Sequence, residues 1–332
     1  MKKNKLLVTG VAGYIGSTFT YEALKKGHEV VGVDNFSNSD DEIVNYFLQN
    51  HGDQFEFIEL DLQYQKELNS TFRLHKNIDC VLHFAALKSV PESEKKFDLY
   101  WKNNVEGTKN LLKAMEIYKI KNIIFSSSAA IYGEQEIQPI NENAETKPVS
   151  NYALTKLESE NLINDYASNG IINAISLRYF NPVASHQDHV IYENYTKSNN
   201  LMSVILQAAT KEIKSLKING NDYPTDDGTA ERDFIHIIDL IDGHFFALDK
   251  IGTLENYIEI NLGTGVSISV LEMVKVFKKV NKVDFKVDFT SRREGDVSIN
   301  FAKVDKAKDL LGWQSSHNLE KMCKDAWEAI KK

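Results

Sequence analysis

An apolar run, Lys5 to Thr9, enters a turn punctuated by glycines, Thr9-Gly10-Val11-Ala12-Gly13-Tyr14-Ile15-Gly16, and Ser17 to Lys26 then repeats like a helix that stops at Gly27. A strand that feeds a helix through such a turn constrains the fold strongly. The glycines let the backbone come close to a pyrophosphate, and the helix N-terminus offers free N–H groups and a partial positive charge. A second apolar run, Glu29 to Val33, ends at Asp34. That is about 20 residues beyond the turn, where a dinucleotide-binding unit carries its acidic residue. A carboxylate there accepts hydrogen bonds from the adenosine ribose hydroxyls and repels a 2′-phosphate, so the pattern predicts NAD rather than NADP. Alone, the three glycines would be an ordinary loop; the flanking strand, the helix and Asp34 give them meaning.

Further strand-like runs follow at Phe55–Ile58, Cys80–Phe84, Ile123–Ser126 and Ile172–Leu177, separated by amphipathic stretches such as Asn103–Tyr118 and Tyr152–Ala167. This alternation predicts an α/β fold, a doubly wound parallel sheet of the Rossmann type, over residues 1–180. Ligands of such sheets gather at the carboxyl ends of strands. After Asn181 the pattern turns irregular, with a polar loop, a helix near Leu201–Ile213 and short mixed elements. Residues 181–332 are therefore expected to form a smaller α/β lobe facing the substrate, with a segment near 232–265, including Tyr257–Asn261, rejoining the main sheet.

The 332 residues suffice to bury a sizeable core. A net charge of −8 and a pI near 5.7 argue against nucleic acid or an anionic membrane as partner. Two cysteines, Cys80 and Cys323, suggest neither a disulfide framework nor a cysteine metal site, and they fit a reducing cytoplasm. No run approaches transmembrane length. His186 and His189 lack a third metal ligand at useful spacing and are expected on a solvent-facing loop, so no metal is expected.

Tyr152 and Lys156 are spaced to stand one above the other on a helix, downstream of Ser128 at a strand end. A phenol with a pKa near 10 is a poor base at neutral pH, and lowering it by three units takes about 4 kcal/mol. A cation about 4 Å away supplies that order of energy, so Lys156 with a positive nicotinamide ring is expected to activate Tyr152. Ser128 would hydrogen-bond the reacting oxygen.

Several longer runs carry a resemblance: Val81-Leu82-His83-Phe84-Ala85-Ala86-Leu87-Lys88, Phe125 to Gly133, Leu177-Arg178-Tyr179-Phe180-Asn181-Pro182-Val183, Gly220 to Thr225 with Asp227-Gly228-Thr229, and Arg292 to Asp296. Together with the glycine turn they resemble UDP-glucose 4-epimerases, extended short-chain dehydrogenases/reductases, over essentially the whole chain. The resemblance implies a tightly held NAD, a transient 4-keto sugar, a UDP-hexose substrate and a homodimer built from helices like Asn103–Tyr118 and Tyr152–Ala167. It implies that Tyr152 takes the proton of the sugar 4-hydroxyl while C4 gives hydride to NAD, after which the ketone turns over and is reduced on its other face. It places NAD against Gly10, Gly13, Tyr14, Ile15, Gly16, Asp34, Asn35, Asp61, Leu62, Phe84, Ala85, Ala86, Lys88, Asn104, Ser126, Tyr152, Lys156 and Tyr179. It places the substrate against Lys88, Ser128, Tyr152, Phe180, Asn181, Asn200, Leu201, Asn219, Arg232, Arg293, Asp296 and Asn300. Two arginines suit a diphosphate, because planar guanidinium forks pair with phosphate oxygens.

The chain departs from related epimerases in the loop Ala184–Asn200, at Asn219, where some relatives stack a phenylalanine on uracil, and at Asn300, where glucose-restricted relatives have tyrosine. The last departure bears on N-acetylated hexoses, including the alternative of an epimerase dedicated to them. A sugar-nucleotide dehydratase needs acid/base groups where this chain has Ala129 and Ala130. A net dehydrogenase would consume NAD stoichiometrically, and a non-catalytic NAD-binding regulator would not need Ser128, Tyr152 and Lys156 together.

Overall fold

The computed structural model describes residues 3–188, 190–191, 193–196, 198–293 and 295–331. Its internal contacts divide the chain into two units. The first comprises residues up to Ile131 together with Thr146–Arg178 and His244–Ile260, and the second comprises Tyr132–Glu145, Tyr179–Gly243 and the residues from Asn261 on.

The first unit is built on β1 (Lys5–Thr9), β2 (Glu29–Asp34), β3 (Phe55–Glu59), β4 (Cys80–His83), β5 (Asn122–Ser128) and β6 (Asn173–Tyr179). They form a seven-stranded sheet in the order Tyr257–Leu262, β6, β5, β4, β1, β2, β3. The pairings β1–β2, β1–β4, β2–β3 and β4–β5 are parallel. The central strands are buried in near-continuous runs, as in β1 and β4, because helices cover both faces of such a sheet, while the edge strand β3 is buried only in part. The order reverses at β1, whose neighbours are β2 and β4, and this is where a doubly wound sheet opens a crevice for ligand. The flanking helices are α1 (Tyr14–Lys25), α2 (Glu42–His51), α3 (Gln65–Leu74), α4 (Gly107–Tyr118) and α5 (Asn151–Ser168). Leu7, Val81 and Phe125 of the sheet pack in one core with Leu111, Met115 and Ile163 of the helices.

The expected single helix Asn103–Tyr118 is two elements: a π-helical turn, Trp101–Glu106, runs directly into α4. The domain boundary is also corrected. Residues 132–145 belong to the second unit, where Ile140 donates its N–H to the Phe301 carbonyl (2.9 Å) and Glu142 Oε1 accepts from the Asn261 N–H (2.9 Å). The segment that returns to the sheet unit is His244–Ile260 rather than 232–265.

In the second unit, α6 (Leu201–Ala209), α7 (Ile237–Lys250, which runs on into the first unit), α8 (Val270–Asn281) and α9 (Leu319–Glu328) accompany short strands. Leu216–Asn219 pairs in parallel with Val287–Thr290, and Glu231–Arg232 pairs with Ile268–Ser269 and with Ile299–Asn300. α6 stops short of the expected Ile213 because Lys211 adopts φ 67°, a left-handed conformation that ends the helix. His186, expected in solvent, is buried, and its Nδ1 accepts the Asp188 N–H (3.1 Å). His189 lies outside the described residues. Among the described residues no helix is long and apolar enough to cross a membrane.

Candidate active site

The turn after β1 is built by close backbone approach. Gly10 has φ 72°, and a Cβ added there would stand 2.7 Å from the Ala85 nitrogen; one added to Gly16 would stand 2.1 Å from the Gly10 oxygen. Gly13 differs, since its added Cβ would meet only the Gly10 oxygen at 3.4 Å. Gly13 is also the cap of α1, with Tyr14, Ile15 and Gly16 in the first turn, and as a glycine it places no capping side chain over that helix end. The bare α1 N-terminus therefore leaves room and donors for a diphosphate.

Asp34 ends β2. Its Oδ2 accepts the Ala12 N–H (3.0 Å), and its Oδ1 accepts the Phe36 N–H (2.9 Å) and the Ser39 hydroxyl (3.2 Å). Three donors fix the carboxylate and leave one of its four acceptor sites for a ribose hydroxyl. Asn35 donates from Nδ2 to Asp61 Oδ2 (3.0 Å), and Asp61 Oδ1 accepts the Gln63 N–H (2.8 Å), so the end of β3 is oriented in the same way beside the buried Leu62. Phe84, Ala85 and Ala86 follow β4, with the Ala85 N–H donated to Thr9 Oγ1 (3.2 Å), and Lys88 is exposed.

At the end of β5, Ser128 accepts the Ala130 N–H (3.2 Å), and its hydroxyl lies near enough to Tyr152 to act on the phenol. Ser150 caps α5 by accepting the Ala153 N–H (3.2 Å), and Ser93 Oγ accepts the Tyr152 N–H (3.1 Å), so Tyr152 is held in the first turn. Lys156, one turn on, donates from Nζ to the Ser126 carbonyl (2.6 Å) and lies 4.9 Å from the centre of the Phe125 ring. Burial pushes the ammonium down to about 7, with the Glu160 carboxylate pulling the other way. Burial also raises the Tyr152 phenol, an effect the Ser128 hydroxyl opposes in part. In the protein by itself the ammonium is turned to a carbonyl, and desolvation dominates both groups.

Asn104, expected at the cofactor, is buried in the π turn. Its Oδ1 accepts from Leu87 N (2.9 Å) and Asn103 Nδ2 (2.9 Å), and its Nδ2 donates to Leu87 O (3.0 Å) and Thr155 Oγ1 (3.0 Å). Every hydrogen-bonding site of the amide is taken, which ties Asn104 to the Leu87 backbone and to α5.

The second unit gathers part of the remaining set. Tyr179 and Phe180 are buried, and Asn181 donates both its backbone N–H and its Nδ2 to the Asp233 carbonyl (3.0 Å each). Arg232 pairs with Asp296 and donates from Nη1 to the Glu231 carbonyl (2.7 Å). In the strand pair that carries Arg232, its register partner is Asn300, which is buried. Arg293 is exposed. Asn219 accepts from Thr290 Oγ1 (3.0 Å), and Asn200, just before Leu201 and α6, donates to both oxygens of Glu193 (2.9 and 3.1 Å).

The sequence pattern described as the NAD dependent epimerase/dehydratase family matches residues 6–263. A UDP-glucose 4-epimerase of Bacillus subtilis is 43% identical over 324 residues, covering 97% of this chain and 95% of that protein. The chain belongs to the UDP-glucose 4-epimerase family. Within the family, the structure of a UDP-glucose-4-epimerase from Stenotrophomonas maltophila with bound NAD and formylated UDP-arabinopyranose has a TM-score of 0.94 and 39% identity, covering 98% of this chain and 97% of the other. A UDP-Glc/GlcNAc 4-epimerase from Campylobacter jejuni has a TM-score of 0.85 and 34% identity, with 98% of both chains covered.

Reading the sequence as an epimerase missed three groups. His83 interrupts the apolar run of β4, bonding through Nδ1 with Thr9 Oγ1 (2.7 Å) and through Nε2 with Thr108 Oγ1 (2.9 Å). Thr108 donates its only hydroxyl proton to the Asn104 carbonyl (2.6 Å), so His83 carries its proton on Nε2; burial, followed by Lys156, lowers its pKa to about 3. Glu160 and Arg178 form a bidentate pair, Nε to Oε1 at 3.1 Å and Nη2 to Oε2 at 2.8 Å. Arg292 lies 4.2 Å from the centre of the Tyr223 ring and pairs with Asp222 (2.8 Å). The sequence signal for the first two is a polar residue within an apolar strand or one helical turn beyond Lys156, and neither states a partner.

Proposed function

We propose that this chain interconverts UDP-glucose and UDP-galactose by inverting C4 through a transient 4-keto sugar, and that it acts in the same way on the 2-N-acetylated UDP-hexoses. The observation that carries the reading is Ser128 at the end of β5 beside Tyr152, one helical turn before the buried Lys156, on the unit that holds the glycine turn and Asp34. The bare α1 N-terminus at Gly13 and the free acceptor site of Asp34 fit NAD, whose diphosphate and adenosine ribose they would hold. NAD, when bound, supplies a hydride acceptor that becomes the donor of the return step. Tyr152 accepts the proton of the 4-hydroxyl and later gives it back to the same oxygen, while Ser128 holds that oxygen by a hydrogen bond. A cationic Lys156 favours the phenolate form of Tyr152. Asn181, Asn200, Arg232, Arg293 and Asp296 are the residues assigned to the uridine diphosphate.

Ala129 and Ala130 stand where elimination would need acid/base groups, which favours epimerisation over dehydration. A homodimer through α4 and α5, and residence in the cytoplasm with Cys80 and Cys323 as free buried thiols, complete the proposal. Turnover of a panel of UDP-hexoses and their N-acetyl forms, with product stereochemistry assigned, tests it. Inversion at C4 without net NAD consumption is the expected result; stoichiometric NADH formation or loss of water would overturn it.

A further inference from the structure

α5 presents Tyr152, Lys156 and Glu160 at successive i, i+4 positions, so the three side chains rise along one face of the helix. Lys156 is 3% exposed and Glu160 is 2% exposed. A buried carboxylate is costly unless paired, and this one is gripped by both forks of Arg178 on β6. Arg178 cannot give up its proton, so the Glu160 carboxylate keeps a fixed cationic partner. The pair is neutral as a whole, yet it is the carboxylate that shares the helix face with Lys156. Other groups around the lysine are the Ser126 carbonyl and Phe125 ring on β5, the neutral His83 on β4 and Tyr152 one turn earlier. Beyond Glu160 lies Tyr257, whose phenol is raised by burial and then by the Glu160 charge. Among these described groups Glu160 supplies the negative charge that favours an ammonium at position 156.

We propose that Glu160, clamped by Arg178, is a positioning residue for the reaction: its fixed charge keeps Lys156 cationic beside Tyr152 while the enzyme works at neutral pH. The proposal rests on the epimerase reading above. Lys156 is desolvated enough to titrate near neutrality, so a modest field decides its charge. A unit charge about 6 Å away at an effective dielectric near 20 moves such a group by roughly one to two pH units. Without that field the ammonium is lost at lower pH, and the phenol loses the cation that favours its phenolate.

The test is the pH profile of kcat for the NAD-loaded protein and its Glu160→Gln variant from pH 5.5 to 9. The alkaline limb is expected to move down by about one to two pH units in the variant, with activity retained best at acid pH. Glu160→Asp, which keeps the charge, should restore most of the limb. A uniform fall in kcat with the limb unmoved would be a structural effect and would overturn the proposal. Should Glu160→Gln fail to fold, Glu160→Gln/Arg178→Gln leaves no unpaired charge and carries the same readout: a downward shift supports the proposal and an unmoved limb overturns it. Failure of the parent to convert any UDP-hexose would instead strike the epimerase reading, which keeps the two failures apart.

Discussion

Tyr152 and Lys156 were legible in the sequence as a helical pair, but their electrostatics were not. Spacing gives neighbours on a helix; it does not give the direction in which a buried ammonium points, and here Nζ turns to the Ser126 carbonyl. Asn104 shows the same limit, since its place in the chain resembles a cofactor contact while its amide is spent on Leu87, Asn103 and Thr155. Tyr152→Phe keeps the ring and removes only the proton acceptor, so the folded, NAD-loaded variant should lose about 10² to 10⁴ in turnover. Near-parental turnover in that variant would take Tyr152 out of the base role. Asn300 is buried in a strand beside Arg232 rather than lying on a free loop, and its amide is smaller than a phenol. Asn300→Tyr should therefore depress turnover of N-acetylated UDP-hexoses by about tenfold or more relative to UDP-galactose, if the added ring takes the space of the acetamido group. Equal losses on both substrates, or a parent inactive on the N-acetyl forms, would show that position 300 does not select at C2.

At the scale of elements, the strands and the turn could be read closely because a sheet covered on both faces favours apolar runs, and β1, β2, β4 and β5 carry them. The π turn at Trp101–Glu106 could not be read. Its register is fixed by partners distant in sequence: the Asn104 carbonyl accepts from Thr108 on α4 and from Ser159 on α5 (2.6 and 3.2 Å), and no local spacing encodes that. The glycines of the first turn separate into two physical roles that the fingerprint treats alike. Gly16→Ala would press a Cβ into the Gly10 carbonyl and should destabilise the fold by about 1–3 kcal/mol or more. Gly13→Ala meets no such obstacle and has φ −76°, so it should leave the urea midpoint near the parent's while weakening NAD binding by about tenfold or more, because its methyl occupies the bare helix end. Measuring unfolding and cofactor retention on both variants checks the division; equal stability losses would refute it.

For the molecule as a whole, the first unit was foreseen from alternation, whereas the assignment of residues 132–145 to the second unit depends on hydrogen bonds to Phe301 and Asn261 far along the chain. Both units also hide histidines. His28 and His83 in the first and His236 in the second are each lowered mainly by burial, His83 to about 3. A group whose folded pKa lies below its unfolded value binds protons preferentially in the unfolded chain. Stability should then fall as pH drops below the unfolded value of about 6.5, by at most ~1.4 kcal/mol per pH unit for each such histidine. For His83 this window extends down to about 3. Asp233 works in the opposite direction, because burial raises its carboxyl and an acid with a raised folded pKa gains relative stability as it protonates. Three lowered histidines stand against this one raised carboxyl, so the fall should dominate between pH 6.5 and 5. Urea unfolding of the protein at pH 7, 6 and 5 should show a steadily falling free energy. His83→Asn, which has no titrating ring, should reduce the slope by about 1.4 kcal/mol per pH unit whatever it does to stability at pH 7. A slope unchanged from the parent would mean that His83 is not held neutral between Thr9 and Thr108.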